Sequence, residues 1–130
     1  MTGADRPANS RAMADETLRV TRAGNRAGLI LAGEIDESSY SVLAHSLAGL
    51  TGDRDVHVDL RGVEFCDVAG LRAIVCLAGP LLADEPARRV ILHAVPPQLQ
   101  KILQVLGWDA MPGVAFAEDG LLADRDGEPT

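Results

Sequence analysis

Two hydrophobic periodicities alternate along this chain, and their alternation restricts the folds that it can adopt. Apolar residues at every second position predict strands at Leu18–Arg22 and at residues 56–66. Residues 28–32 follow a Gly-Asn turn and predict a strand that forms a starting hairpin with Leu18–Arg22. A near-continuous apolar stretch at residues 88–95 predicts a strand inside a sheet, and residues 114–116 predict a short last strand. Strands of this kind bury their side chains only when other segments cover the sheet.

Between the strands, apolar residues recur three and four positions apart, which is the spacing of a helix face. The first helical pattern consists of Tyr40, Leu43, Ala44 and Leu47, with Asp36, Ser38 or Ser39 as its N-cap. The second begins at Asp67, ends near Gly79 and Pro80 or one turn later, and consists of Leu71, Ile74, Val75, Ala78, Leu81 and Leu82. The third ends at Gly107 and consists of Leu99, Ile102, Leu103 and Leu106. The order ββαβαβαβ predicts an α/β fold with a mixed, mainly parallel sheet of about 4–5 strands and about 3–4 helices.

The apolar patterns define one folded domain within the 130 residues. Residues 1–16 lack apolar periodicity, so they are predicted to form a disordered N-terminal tail. Residues 118–130 are polar apart from Leu121 and Leu122, and they are predicted to form a flexible C-terminal tail. The folded domain is therefore expected to span residues 17–117.

An acidic composition narrows the classes of partner. The formal net charge is −7 and the pI is about 4.8, so phosphate backbones should be repelled and no nucleic-acid binding is predicted. No stretch reaches the roughly 20 apolar residues of a membrane-spanning helix, which predicts no direct membrane insertion. The first residues lack the apolar region of a signal peptide, so a cytoplasmic protein is expected.

No residue pattern typical of an active site, a metal site or a cofactor site is visible. Cys66 and Cys76 are predicted to be reduced thiols, and without a nearby histidine pair they do not match the ligand spacing of zinc. His45, His57 and His93 fall on one predicted helix and two predicted strands, in no arrangement with an acid and a nucleophile. We therefore predict no catalytic residue, no metal, no cofactor and no enzymatic activity.

Two sequence stretches carry a resemblance to a known family. They are residues 33–36 (GEID) and residues 58–71 (VDLRGVEFCDVAGL). In this order, with the predicted helices after them, they resemble a STAS domain that covers residues 18–116. STAS domains include the anti-sigma factor antagonists, so the resemblance implies a STAS-type sheet and a regulatory function exerted by protein–protein interaction.

The resemblance also implies a position for a phosphoacceptor. In the family, the central strand ends in a pattern resembling D-[ST]-[ST]-G, and an anti-sigma factor with an ATPase-kinase fold phosphorylates the first hydroxyl after the Asp. The matching residues here are Asp67, Val68, Ala69 and Gly70. Because Val68 has no oxygen nucleophile, the resemblance implies a non-phosphorylatable protein that stays in a state resembling the unphosphorylated one.

The resemblance further places a partner-binding surface where the two loops meet. Its predicted members are Asp36, Ser38, Ser39, Asp67, Val68, Ala69, Gly70, Leu71 and Arg72. Two alternatives stay open, namely that Asp67 is an ordinary N-cap and that Val68 and Ala69 belong to the core. Ser38, Ser39 and Ser41 could supply a displaced phosphoacceptor, although serines at a helix start more often act as caps.

Three functions are compatible with these features. The first is a transcription-regulating signalling module, similar to an anti-sigma factor antagonist, that binds an anti-sigma factor or a related ATPase-kinase. The second is an accessory subunit of a membrane transport complex, because STAS-like domains also occur beside transporters. The third is a sensor of a small ligand or nucleotide, which the acidic charge and the lack of a Gly-rich phosphate loop disfavour. A weak homodimer is compatible with each of them.

Overall fold

The computed structural model describes the backbone of residues 13–14 and all of residues 17–24, 27–50, 55–79 and 88–121. Its strands are β1 Met13–Ala14, β2 Leu18–Arg22, β3 Gly28–Ile35, β4 Asp55–Cys66, β5 Arg89–His93 and β6 Val114–Ala117. Its α-helices are α1 Tyr40–Ala48, α2 Val68–Val75 and α3 Pro97–Leu106. Short 3₁₀ turns at Glu37–Ser39, Cys76–Ala78 and Trp108–Ala110 adjoin these helices.

The strands form one sheet in which neighbours in space are also neighbours in the chain. β1, β2 and β3 pair antiparallel, whereas β3, β4, β5 and β6 pair parallel. The predicted α/β fold with a mixed, mainly parallel sheet is confirmed. The predicted strands correspond to β2–β6, and β1 adds a two-residue strand within the segment predicted to be a tail. The rest of residues 1–16 lies outside the described residues.

One face of the sheet carries the hydrophobic core. On β4, Val56, Val58 and Leu60 are fully buried at alternate positions, and residues of all three helices complete the same apolar cluster. The helix residues of this cluster are Leu43, Leu47, Leu71, Ile74, Val75, Leu99 and Leu103. The residues that alternate with the buried ones on β4, His57 and Asp59, point to the second face of the sheet.

The helices end where the backbone or the local residues require it. α2 stops at Val75, and a 3₁₀ turn continues to Ala78 before Gly79 adopts a φ of 137°. Leu81 and Leu82, which were predicted to extend the apolar face of α2, lie outside the described residues. α3 begins at Pro97 and ends at Gly107, whose φ of 77° is left-handed. None of the described helices is long and apolar enough to span a membrane.

The chain stays in contact with the sheet after β6. Ala117 O accepts a hydrogen bond from the Ala94 amide at 2.8 Å, and Leu121 donates its amide to Asp59 Oδ2 at 2.7 Å. We call residues 118–121 the C-terminal strap. Backbone contacts therefore extend past the boundary predicted at residue 117, and residues 122–130 lie outside the described part of the chain.

Candidate functional site

The candidate site lies where β4 ends and α2 begins. Asp67, between them, has an extended backbone, and its carboxylate reaches the unpaired amides at the helix start. Its Oδ1 accepts a hydrogen bond from the Gly70 amide at 2.9 Å, which makes Asp67 the N-cap of α2. The Asp67 amide donates to Ile35 O at 3.1 Å, so the end of β3 and the start of α2 are joined.

A second hydrogen bond holds the same carboxylate from the side of α1. Tyr40 donates its hydroxyl to Asp67 Oδ2 at 2.5 Å. This hydrogen bond, followed by desolvation and by the charge of Asp67, raises the pKa of Tyr40 to about 12. Both carboxylate oxygens of Asp67 are therefore engaged. Tyr40 was predicted only as part of the apolar face of α1.

Asp36 closes the neighbouring loop at the end of β3. Its Oδ1 accepts hydrogen bonds from the Ser38 amide at 3.0 Å and from the Ser38 hydroxyl at 2.7 Å. The Asp36 amide donates to Ser39 Oγ at 3.1 Å. The two predicted loops lie side by side because β3 and β4 are parallel neighbours. The carboxylates of both loops thus act mainly as caps.

An apolar side chain at the start of α2 faces solvent beside these caps. Val68 is 48% exposed, and Ala69 and Arg72 are exposed as well. Phe65, near the end of β4, is 50% exposed. We call Phe65, Val68, Ala69 and Arg72 the junction surface. The alternative that placed Val68 and Ala69 in the core is wrong, because both side chains reach solvent.

Phe65 was not among the predicted site residues, although the sequence contains a signal for its exposure. Consecutive residues of a strand point to opposite faces of a sheet. Cys66 belongs to the apolar cluster and is buried, so Phe65 has to point away from that cluster. The pattern was obscured because the pairing of β3 with β4 contains register irregularities, after which the alternation of β4 restarts.

Three members of the predicted surface lie inside the protein instead. Ser39 and Leu71 have no exposed area, and Gly70 is buried. The hydroxyl of Ser39 lies 3.2 Å from each of two backbone carbonyl oxygens, and Leu71 belongs to the apolar cluster. Their side chains are therefore not available to a partner, and Ser39 is not available as a phosphoacceptor. Ser38 and Ser41 are exposed.

Comparison with known families gives a match over most of the described chain. The family described as "Mlab, STAS domain" matches residues 18–116. The chain belongs to the STAS domain family. The match spans the strands from β2 to β6, so it includes both loops of the candidate site.

Solved structures show the same fold. An anti-sigma factor antagonist from Mycobacterium paratuberculosis is similar with a TM-score of 0.58 and 19% identity, over 78% of this chain and 88% of that chain. The anti-sigma factor antagonist SpoIIAA in its unphosphorylated form is similar with a TM-score of 0.50 and 17% identity, over 75% of this chain and 86% of that chain. Comparison with curated proteins gave no match.

Gly70 in this STAS domain is required by the packing between α2 and β3. A Cβ atom at residue 70 would lie 2.5 Å from Ile35 Cγ2 and 3.1 Å from Cys66 Sγ. The first distance is far below van der Waals contact, so a larger residue would push α2 away from the sheet. Gly70 therefore sets how closely the junction surface follows the end of β3.

Cys66 lies beside the cap but has the properties of an inert thiol. Burial, and secondly the charge of Asp67, raise the pKa of the Cys66 thiol to about 12. Cys66 and Cys76 are both free. Within the described ranges, no group of His, Cys, Asp and Glu side chains could hold a metal ion.

An open groove lies between the end of β5, α3 and β6. Its volume is about 370 Å³, and it is lined by Ala94, Val95, Gln100, Phe116, Ala117 and Glu118. This lining contains no basic side chain, so a phosphate group would find no opposite charge there. The groove therefore does not favour the nucleotide-sensor alternative.

Proposed function

We propose that this STAS domain is a non-catalytic regulatory module that binds an anti-sigma factor or a related ATPase-kinase through the junction surface. The observation that carries the proposal is the exposure of Val68, a branched apolar side chain at the first position of α2; Phe65, three residues earlier in the chain, is also exposed. Apolar side chains grouped at a surface are typical of protein contacts. The two similar structures are described as anti-sigma factor antagonists, which supports the proposed class of partner.

The caps beneath the junction surface support this role because they restrain the start of α2. Asp67 is bonded to Gly70 on its own helix and to Tyr40 on α1. A surface whose backbone is already ordered loses less conformational entropy on binding, and this favours affinity. In this proposal Asp67 is a positioning residue, whereas Phe65 and Val68 touch the partner.

The proposed binding does not depend on phosphorylation at residue 68. Val68 offers no oxygen nucleophile, so a kinase that contacts the junction surface cannot transfer a phosphoryl group to it. A phosphoryl group would add a charge of about −1.5 to −2 beside two capping carboxylates, which would disturb an apolar contact. Without that modification the module stays competent to bind.

Affinity capture from the organism that makes the protein tests the partner and the surface together. Tagged wild-type protein is compared with Val68→Arg and with Val105→Arg, in which the same charge is placed on α3 at a side chain that is 76% exposed. We expect an anti-sigma ATPase-kinase with the wild type and with Val105→Arg. We expect about tenfold less of it with Val68→Arg, since central apolar contacts contribute 1–2 kcal/mol or more to binding.

Each other outcome of this capture contradicts part of the proposal. Equal recovery of the kinase by all three proteins would show that the junction surface is not the binding site. Recovery of transporter subunits in place of a kinase would favour the accessory-subunit alternative. Recovery of no specific protein would contradict the proposed class of partner.

Phosphoryl transfer in a purified system tests the second half of the proposal. The captured kinase is incubated with ATP and either wild-type protein or Val68→Ser, and modified residues are located by mass spectrometry. We expect no phosphate on the wild type and phosphate on residue 68 of Val68→Ser, because only the variant carries an acceptor hydroxyl there. Phosphate on Ser38 or Ser41 of the wild type would contradict phosphorylation-independent binding.

A further inference from the structure

The second face of the sheet holds two histidines that the proposed function does not use. Nδ1 of His57, on β4, lies 2.8 Å from Nε2 of His93, on β5, and the ring centroids are 5.0 Å apart. His93 is only 6% exposed. Its Nδ1 lies 2.8 Å from Asp119 O in the C-terminal strap. His93 therefore contacts both His57 and the C-terminal strap.

A buried carboxylate holds the strap at a second point. Asp59 is 2% exposed, and it accepts hydrogen bonds from the Arg61 amide at 2.8 Å and from the Leu121 amide at 2.7 Å. A Cβ atom on Gly120 would lie 2.2 Å from Arg61 Nη2 and 2.8 Å from Asp59 Oδ2, so the strap passes tightly against both side chains. The strap is thus attached between Asp59 and His93.

The positions of the hydrogens follow from the strap carbonyl. A carbonyl oxygen can only accept, so Nδ1 of His93 carries the hydrogen that it donates to Asp119 O. When both rings are neutral, Nε2 of His93 is the acceptor and Nδ1 of His57 is the donor. The pair can accept one additional proton, because an imidazolium on either ring still leaves a single hydrogen between Nδ1 of His57 and Nε2 of His93. A second additional proton places an N–H group on each of these two nitrogens, which lie 2.8 Å apart.

Charged groups of both signs lie on the same face of the sheet as the pair. Among the described residues, the charged groups on this face include Arg19 of β2, Glu34 of β3, Asp55, Asp59 and Arg61 of β4, Arg89 of β5, and Glu118 and Asp119 of the strap. Asp55 and Arg89 already pair with each other at 2.9 Å. The neighbouring positions of β3 and β6 in the sheet register are uncharged, namely Gly28, Ile30, Ala115 and Ala117. Asp59 is the buried carboxylate next to the pair, and the strap carboxylates are exposed.

We propose that His57 and His93 form a pH-sensitive latch, which holds the C-terminal strap while the pair carries at most one additional proton and releases it when both rings are charged. The released state binds one proton more than the latched state, so the latched fraction falls as the pH falls. Histidine is the side chain that ordinarily changes its charge between about pH 5 and 8, so release is tested across that range. The opening constant then rises by up to about tenfold per pH unit.

Nuclear magnetic resonance of the full chain tests the latch between about pH 8 and 5, a range in which ordinary carboxylates remain ionised. At the upper end we expect both rings to be Nδ1–H tautomers. As the pH falls through this range, we expect the exchange protection of the Leu121 amide to fall by up to about tenfold per pH unit, with that of Val58 in the core unchanged.

Two histidine variants separate the latch from general acid sensitivity. In His57→Gln the side-chain amide can either donate to or accept from His93, so a charged His93 keeps a partner and the pH dependence at Leu121 should disappear. In His45→Gln, at an exposed position of α1, the pH dependence should persist. Protection of Leu121 that is constant with pH in the wild type would overturn the proposal. The same pH-dependent loss of Leu121 protection in His57→Gln as in the wild type would also overturn it. So would an Nε2–H tautomer of His93 at the upper end of the pH range, and that measurement requires only the wild type.

Discussion

At the scale of single residues, Asp67 joins three parts of the fold through one side chain and one amide. Its carboxylate accepts from the Gly70 amide and from the Tyr40 hydroxyl, and its amide donates to the end of β3. Replacing Asp67 would leave these donors unpaired and would loosen the junction as well as change its charge. Val68 is therefore the cleaner position at which to examine binding, because its side chain is 48% exposed and lies outside the buried apolar cluster.

The hydrogen bond between Tyr40 and Asp67 leads to a prediction about the titration of the Tyr40 hydroxyl. The chain contains one tyrosine, so phenolate absorbance reports on Tyr40 alone. We expect a midpoint at a pKa of about 12, because deprotonation breaks the hydrogen bond to Asp67 and places two negative charges together. The pKa is raised in the folded state, so this contribution to stability is complete below about pH 10 and is lost as the pH rises towards 12.

Asp67→Asn is the matched control for this titration. The amide oxygen can still accept from the helix start, but the negative charge is removed. The midpoint of Tyr40 should then move down towards 10, the ordinary value for tyrosine. A wild-type midpoint near 10 would show that the hydrogen bond between Tyr40 and Asp67 does not form in solution.

At the scale of elements, the residues that follow β5 and α3 both have a left-handed backbone conformation. Ala94 follows β5 with a φ of 53°, and its amide is held by Ala117 O at 2.8 Å. Gly107 follows α3 with a φ of 77°. For a residue with a Cβ atom this conformation costs about 1–2 kcal/mol, whereas glycine adopts it freely. The chain therefore has a strained turn at one of these ends and a relaxed one at the other.

Opposite substitutions at these two ends should have opposite effects on stability. Ala94→Gly removes the left-handed strain of about 1–2 kcal/mol but adds about 0.4–1 kcal/mol of chain entropy in the unfolded state, so we expect a net gain of roughly 0.5–1 kcal/mol. Gly107→Ala should lose about 1 kcal/mol from backbone strain, since a Cβ atom there meets nothing within 4 Å. Urea denaturation measures both. A loss of stability in Ala94→Gly would show that residue 94 is not left-handed in solution.

At the scale of the whole molecule, local periodicity predicts the order of the elements but not the contacts between them. The alternation of Val56, Val58 and Leu60 was sufficient to place β4 and its inner face, because burial on one side of a sheet repeats every two residues. The contact between His57 and His93 depends on the register of β4 against β5, which no local pattern contains.

Only part of the candidate site could likewise be predicted from the sequence. The resemblance placed Asp67 and Val68 at the start of a helix, and the structure has them there. The burial of Leu71 and the exposure of Phe65 depend on how α2 packs against the sheet and on irregular pairing in β4. The hydrogen bond from Tyr40 to Asp67 joins residues 27 positions apart, so it could not be inferred from either segment alone.

The separation of the two faces of the sheet leads to a prediction about the molecule as a whole. Leu92 lies on β5, which is paired on both sides, and its side chain is fully buried in the apolar cluster beneath the helices. Leu92→Ala should lower the free energy of unfolding by about 2–5 kcal/mol, a large part of the roughly 5–15 kcal/mol typical of a domain. Leu106→Ala makes the same chemical change at a side chain that is 39% exposed, and it should cost about 1 kcal/mol or less.

Both variants can be compared by urea denaturation and by exchange of the Leu121 amide. Because Leu92 and His93 are consecutive in β5, they point to opposite faces, and a cavity at Leu92 removes no contact of the strap. We therefore expect Leu92→Ala to lower the global stability while the pH dependence of Leu121 exchange remains. Equal losses of stability in the two variants would contradict a core confined to the helix-covered face. Loss of the pH dependence in Leu92→Ala, with the protein still folded, would show that the two faces are energetically coupled through β5.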